Sequence, residues 1–327
     1  MSPRSGFVVV AVAIAAALGT PARADAPNLP DEARAAPAIA KDKGYFVKAI
    51  RPGLYWLSDG AYGTMFLVHA TGVIAVDPLP TLGPRYLKAI AEVTDKPVTH
   101  VIYSHEHTDH IGAASLFPRT ATVIAQRETA AILARRHDPR RPPPTVTFGE
   151  TYTLEVGGQR LVLDYHGVNH EKGNLFIYAP RQRVLMLVDV VYPGFVPYKN
   201  LGIAEDVQGY IDAHRQALAY DFDVLVAGHV NRLGTRRDVE VEADFLDDLR
   251  ASAAKELGAL AFPAYVGAHP GADKWDLHER YEQEVTRRCQ ADILPRWKAR
   301  LADAATYLED DCWAMIEALI VTLPVLP

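Results

Sequence analysis

The amino-acid sequence predicts a layered α/β protein, with two sheets inside and helices outside, followed by a helical C-terminal extension. Three observations lead to this fold class. Strand-like segments come in two groups, each followed by helical segments. Beyond Asp238 the spacing of apolar residues is helical almost to the end. The 327 residues are 49% hydrophobic and 23% charged, which is typical of a globular chain with a sizeable core.

The first group of strand-like segments begins at Tyr45, and short β-rich runs alternate with turn residues as far as Asp77. The predicted strands here are "LYWLSDG", "TMFLVHATG" and "VIAVDPLP". A helix is predicted over residues 83–95, and "THVIYS" follows it as a buried strand. A short strand and a further helix complete the group within "SLFPRTATVIAQRETAAILARR".

The second group follows a basic, proline-rich segment at residues 135–148, which is predicted to be a loop. Its basic part, Arg135 to Arg141, is predicted to be either a lid for an anionic group or a solvated surface loop. The strands of this group are predicted in "TYTLEVGGQRLVLDYHG", "NLFIYAP" and "RVLMLVDVVYP". A helix near residues 206–220 and the strand "FDVLVAG" come next. The clearest helical pieces of the extension are "VEADFLDDLRASAAKEL" and "HERYEQEVTRRCQADIL".

The N-terminus has the pattern of a secretory signal peptide at residues 1–24. Arg4 precedes an apolar run from Phe7 to Leu18, and small residues follow at Ala22 and Ala24. Cleavage after Ala24 predicts a periplasmic or secreted protein with no stable membrane insertion. An uncleaved anchor is the alternative, although the apolar run is short for a membrane span.

The remaining chain is divided by its composition. Residues 25–43 are rich in Ala and Pro and are predicted to be a loose lead-in. Residues 44–239 form the main domain, and residues 240–327 form a helical extension packed on it. The extension is expected to serve as an appendage, a partner surface or a cap, and it makes a homodimer possible.

Charge and cysteine content narrow the possible partners. The net charge is −6, and removal of residues 1–24 takes away Arg4 and Arg23, giving −6 − 2 = −8. An acidic protein repels phosphate backbones, so no nucleic-acid partner is expected. Cys289 and Cys312 are expected either to pair in an oxidising compartment or to stay as buried thiols.

The segment "YSHEHTDHIG" carries the strongest chemical signal. It places His105, His107, Asp109 and His110 at the end of a predicted buried strand. Imidazole and carboxylate are ligands that zinc and similar divalent metals prefer. In an extended segment, residues i and i+2 point the same way, so His105 and His107 can bind one ion. Asp109 and His110 then point elsewhere and can bind a second.

Three further metal-ligand candidates occur downstream, each beside a predicted strand. His170 precedes one strand, Asp189 ends a second, and His229 ends a third. Strands of one sheet deliver such side chains to one edge, so we expect these residues to join the histidine run. His166, four residues before His170, is expected to be exposed or to support the site from behind, and metal ligation is its alternative.

These motifs resemble the metallo-β-lactamase fold superfamily over about residues 45–239. The resemblance implies an αββα sandwich with a dinuclear site, two zinc ions per chain, although other divalent metals are possible. His105, His107 and His170 would then hold the first metal, with Asp109, His110 and His229 at the second. Asp189 would bridge the two metals, and Asp77 would support the ligands.

The resemblance also implies a mechanism. A metal-bridged hydroxide would open a lactone or cleave an ester of a small, largely apolar substrate, with Asp109 orienting it. Tyr192 resembles the tyrosine that contacts the substrate carbonyl in acyl-homoserine-lactone lactonases, and a packing role is its alternative. Asp189 stands where one β-lactamase subclass has cysteine. β-Lactam hydrolysis, an iron-dependent oxidoreductase and a non-catalytic binding module are the other hypotheses.

Overall fold

A seven-stranded sheet forms one half of the sandwich in the computed structural model, which describes Ala33 and residues 36–322. The predicted signal peptide lies outside the described residues. The strands, in chain order and in order across the sheet, are β1 (Phe46–Arg51), β2 (Leu54–Ser58), β3 (Gly63–Val68), β4 (Val73–Val76), β5 (Val98–Ile102), β6 (Thr122–Gln126) and β7 (Val146–Phe148). Neighbours from β1 to β4 are antiparallel, and those from β4 to β7 are parallel. The carboxyl ends of β4 and β5 therefore share an edge.

A five-stranded sheet packs against the first. Its strands are β8 (Thr151–Val156), β9 (Gln159–Asp164), β10 (Phe176–Ala179), β11 (Val184–Leu187) and β12 (Val224–Val226), and they lie in the order β12-β11-β10-β9-β8. β11 and β12 are parallel, whereas β10 is antiparallel to β11. The start of β10 and the ends of β11 and β12 therefore meet at one edge of this sheet.

Helices cover the outer faces of both sheets. The helices are α1 (Pro84–Ala91), α2 (Thr108–Ile111), α3 (Arg127–Arg136), α4 (Lys199–Ile203), α5 (Val207–Leu218), α6 (Arg236–Ala259), α7 (Phe262–Gly267), α8 (Lys274–Trp297) and α9 (Ala304–Val321). A short 3-10 helix spans Ala114–Leu116. None of the helices within residues 36–322 combines the length and the apolar character needed to cross a membrane.

Alternation along the strands explains the four layers. In β4, Ile74 and Val76 point into the core between the sheets, while Val73 and Ala75 point into the core beneath α1. Both faces of this strand are buried, which accounts for its uninterrupted apolar sequence. The predicted αββα sandwich with a helical C-terminal extension is confirmed.

The C-terminal helices share a core with the second sheet. Phe176 and Leu187 of this sheet pack in the same cluster as Phe245 of α6 and Met315 of α9. The predicted boundary between residues 239 and 240 lies inside α6, which continues as one helix. The two cysteines form a disulfide between α8 and α9, with a Cα–Cα distance of 6.0 Å. The pairing alternative is therefore the one the structure shows.

The predicted lead-in is described only in part. Ala33 is fully buried and packs in a small cluster with Tyr192, Phe195 and Ala302. This residue therefore contacts the loop that follows β11.

Candidate metal centre

The histidine run changes direction at His107, which separates its side chains into two pairs. His105 lies three residues after the end of β5, and His107 is the extended N-cap residue of α2, with φ −61° and ψ 141°. Asp109 and His110 lie inside α2. The chain thus passes from an extended segment into a helical turn, which points the second pair away from the first.

The first cluster consists of His105, His107, His170 and Asp189, whose ligand atoms lie within 4.8 Å of one another. His170 Nε2 lies 3.1 Å from His107 Nδ1 and 3.3 Å from Asp189 Oδ2. His105 Nε2 lies 3.6 Å from the same carboxylate oxygen. The predicted ligands of the first metal are therefore brought together.

The second cluster consists of Asp109, His110 and His229. His110 Nε2 and His229 Nε2 lie 3.2 Å apart, and each is within 3.6 Å of Asp109 Oδ2. Asp109 is 43% exposed and His229 is 28% exposed, so this cluster is the more open one. Gly228 is needed beside it, because a Cβ there would lie 2.8 Å from the His110 ring.

Asp189 joins the two clusters. Its Oδ2 lies 3.0 Å from His110 Nε2, and its Oδ1 lies 3.1 Å from His229 Nε2. Burial alone would raise the pKa of Asp189, but the histidines around it hold that pKa well below its usual range. The carboxylate is therefore ionised and centrally placed, as a bridging ligand must be.

Hydrogen bonds orient the three imidazoles of the first cluster. The Gly202 carbonyl can only accept, so His170 Nδ1 donates to it at 2.8 Å. Ser104 Oγ gives its proton to the Asp77 carboxylate at 2.6 Å, so His105 Nδ1 donates to Ser104. His107 Nε2 faces Glu171 Oε2 at 3.3 Å. Each ring thus turns its other nitrogen toward the site.

These hydrogen bonds also show that the site fits a metal ion. Burial lowers the pKa of His170 to about 4 and lowers that of His105 well below its usual value, so both rings are neutral. Their Nε2 lone pairs then point at the ionised Asp189, and His105 Nε2 has no hydrogen-bond partner among the described residues. Lone pairs that face a carboxylate at this distance need a cation between them. The donor set suits divalent metals.

Asp77 supports the first cluster from behind. It follows β4, is fully buried, and accepts from both the backbone N–H and the hydroxyl of Ser104. Burial raises its pKa to about 6. Ser104 connects Asp77 to His105, as expected for a residue that fixes the loop.

Several supporting residues were not predicted from the sequence. Tyr62 donates to Asp109 Oδ2 at 3.3 Å and packs on the His229 ring at 4.5 Å. Glu171 contacts His107, and its position directly after His170 was the only sequence signal. Glu106, inside the histidine run, is buried and pairs with Arg141 at 2.7 Å.

The Arg141 contact corrects the prediction for the basic loop. Arg141 is 6% exposed and donates to both the side chain and the backbone carbonyl of Glu106. At this residue the loop is neither a lid nor solvated. It braces the histidine run instead.

An aromatic cavity of about 510 Å³ opens over both clusters. Its walls include the rings of Tyr62, Tyr192, Phe195, Tyr198 and Tyr307. Tyr192 is 5% exposed, and its ring stacks on His229 with centroids 6.2 Å apart. It therefore both packs and borders the cavity.

His166 lies apart from the two clusters. Its Nε2 is 2.8 Å from the Tyr220 hydroxyl, and its ring packs on Phe176. It supports the second sheet rather than the ligands.

Comparison with known proteins agrees with this geometry. The family model of the metallo-beta-lactamase superfamily matches residues 59–229, which contain all seven candidate ligands. The chain belongs to the metallo-beta-lactamase superfamily. A metallo-beta-lactamase from Pontibacter korlensis superposes with a TM-score of 0.55 and 22% identity, covering 62% of this chain and 99% of that one. This likeness shows the shared fold.

Two further similar proteins differ in how much of the chain they cover. A stereoselective inverting sec-alkylsulfatase from Pseudomonas sp. superposes with a TM-score of 0.58 and 18% identity, covering 86% of this chain and 50% of that one. The alpha subunit of 2,4-dinitroanisole O-demethylase from Nocardioides sp. (strain JS1661) is 34% identical over 216 residues. That alignment covers 64% of this chain and 64% of the subunit. The chain thus spans less than two thirds of this curated relative.

Proposed function

We propose that this chain is a metal-dependent hydrolase with two zinc ions, which opens a lactone or cleaves an ester of a small, largely apolar substrate. One observation carries the proposal. The seven candidate ligands form two clusters joined by Asp189, and five of the seven line an aromatic cavity. Such a cavity suits an apolar small molecule held above the ligands.

The protein's own side chains have separate roles in the proposed reaction. Two divalent ions bound here would supply a water molecule of lowered pKa and polarise the substrate carbonyl. Asp109, half in solvent at the cavity wall, would orient the attacking oxygen and accept its proton, and Tyr62 would hold Asp109 in place. Burial raises the pKa of Tyr192 well above its usual value, so its hydroxyl stays protonated and can donate.

Cleavage of an activated aryl ether is a second candidate. It is favoured by the relative named as a 2,4-dinitroanisole O-demethylase subunit and by the aromatic rings that line the cavity. Both candidates break a C–O bond with water and could use the same ligands. They differ in the carbon that is attacked, which is a carbonyl carbon in the ester or lactone and an activated aromatic carbon in the aryl ether.

The setting of the enzyme is also proposed. The predicted signal peptide would direct export of the chain to the periplasm or beyond, and cleavage after Ala24 would release it. A homodimer through the C-terminal helices is consistent with Trp313 and Val321, which are 43% and 72% exposed on α9.

Metal content and a substrate panel test the proposal together. Residues 25–327 would be purified, metals counted per chain, and hydrolysis measured on a nitrophenyl ester, a γ-lactone, 2,4-dinitroanisole, a cephalosporin and a phosphotriester, with and without chelator. About two zinc ions and chelator-sensitive cleavage of the ester or lactone are expected. Turnover of dinitroanisole alone would favour the second candidate, cleavage of an activated aryl ether. Iron in place of zinc, or cephalosporin as the preferred substrate, would overturn the proposal.

A further inference from the structure

A left-handed turn in α4 lies between the metal centre and the C-terminal helices. Asn200, Leu201, Gly202 and Ile203 have φ values of 56°, 55°, 65° and 52°. Three of these residues are not glycine, and the left-handed conformation is unfavourable for a residue with a Cβ. Such a turn persists only where its surroundings hold it.

Asp311 of α9 holds this turn. Its Oδ1 accepts the Leu201 N–H at 2.7 Å, and both residues are fully buried. Asp311 lies outside the family match, which ends at residue 229, so this support comes from the C-terminal extension.

The same turn delivers a polar group to the first cluster. The Gly202 carbonyl accepts from His170 Nδ1 at 2.8 Å and thereby keeps the His170 Nε2 lone pair on the site. The fit around Gly202 is close, because a Cβ there would lie 2.8 Å from the Tyr192 hydroxyl. A small shift of the turn would therefore move the Gly202 carbonyl, which accepts the hydrogen bond from the candidate ligand His170.

We propose that Asp311 is a positioning residue for the metal centre. By accepting the Leu201 N–H, Asp311 fixes the left-handed turn. The Gly202 carbonyl of this turn then fixes the orientation of the His170 ring. The inference rests on the proposed function only in taking His170 as a metal ligand, and it does not depend on the substrate.

The acceptor oxygen of Asp311, rather than its charge, performs this role. Burial, together with Asp310 and Glu242, raises the pKa of Asp311 well above its usual value, which favours the neutral acid. Asparagine has the same shape and retains an acceptor oxygen. Asp311→Asn should therefore preserve the turn, whereas Asp311→Ala should release it.

Zinc titration of the full chain, without substrate, tests this proposal. Metal-free parent, Asp311→Asn and Asp311→Ala would be titrated with Zn²⁺ against a chromophoric chelator. For Asp311→Ala we expect about 10–100-fold weaker binding of one of the two ions, the loss typical of disturbing a ligand's hydrogen-bond partner. Asp311→Asn should bind within about threefold of the parent.

Asp248→Asn is the matched control in the helical layer. Asp248 accepts from the Trp297 indole at 2.9 Å and ties α6 to α8 without contacting the turn. It should leave zinc binding unchanged. If Asp311→Ala does not fold, Asp311→Glu would be titrated in its place. Glutamate keeps a carboxyl group but displaces it from the Leu201 N–H, so the same weakening of zinc binding is expected. Parent-like zinc affinity in a folded Ala or Glu variant would overturn the proposal, and so would equal weakening by Asp248→Asn.

Discussion

The ligand-bearing region, residues 59–229, and the C-terminal helices contribute to the centre in different ways. The first region supplies all seven candidate ligands from strand ends and one helical turn. The helices supply none of these seven, yet Asp303 and Tyr307 line the cavity, and Asp311 reaches the turn beneath His170. The candidate ligands therefore come from one part of the chain, whereas the cavity wall and the support of the ligands come from both.

Glu242 of α6 shows the same division. It is buried and accepts the backbone N–H of Tyr192 at 2.7 Å. Two buried acids from the helical layer therefore hold the segment between Asp189 and Ile203 from outside. Substituting a ligand should therefore weaken metal binding directly, whereas substituting a residue of the helical layer should weaken it only where that residue holds this segment.

Replacing the bridging ligand should have the largest effect. Asp189→Ala removes the carboxylate that lies within 3.6 Å of four histidine nitrogens. We expect zinc affinity to fall by more than about 100-fold at both sites, beyond the loss typical of supporting residues. Metal analysis after dialysis, together with ester hydrolysis, measures the effect.

A control from the other region sharpens this test. Asp303→Asn alters an acid in the cavity wall that belongs to neither cluster, and it should retain both metals. If Asp189→Ala kept two tightly bound ions, the bridging assignment would be wrong.

The sequence predicted the ligands because they follow local rules. His105, Asp189 and His229 each lie within three residues of the end of an apolar strand. β11 and β12 are parallel neighbours in the second sheet and β5 belongs to the first, so these ligands come from strand ends of both sheets. The residues that it missed depend on packing between distant segments. Asp311 reaches Leu201 across 110 positions, and Arg141 reaches Glu106 across 35. Neither contact leaves a local pattern, so charge and proline content suggested a lid or a solvated loop instead.

Removing the disulfide should lower stability without touching the ligands. Cys289→Ala with Cys312→Ala opens a link between residues 23 apart. For a loop of this size the expected loss is about 3 kcal/mol in the free energy of unfolding. Denaturant titration measures the loss, and parent protein under reducing conditions is the matched comparison. Loss of zinc from the still-folded variant would show that the disulfide also supports the metal centre, which would contradict a purely stabilising role.

Tyr307 tests the contribution of the helices to substrate binding. Its ring packs edge-on against Tyr198 at 5.3 Å in the cavity wall. Tyr307→Ala should raise KM for an aromatic ester about tenfold, since an aromatic contact contributes roughly 1 kcal/mol beyond its buried area. Zinc content and kcat should stay near parent values. Trp313→Ala, exposed on the same helix, is the control, and a fall in kcat at constant KM would contradict a binding role.

The smallest expected effect is a pH-dependent change in stability within the helical layer. Burial and a hydrogen bond with Glu317 raise the pKa of Glu282 from 4.5 to about 7. The folded protein therefore binds more protons than the unfolded chain between these values, and stability falls as pH rises through this window. Glu282→Gln should flatten that fall and raise Tm by roughly 1–3 °C at pH 8, with little change near pH 4.5. Thermal melts across this range measure it, with the exposed Glu309→Gln as control. A Tm gain equally large near pH 4.5 would rule out titration of Glu282 as its cause.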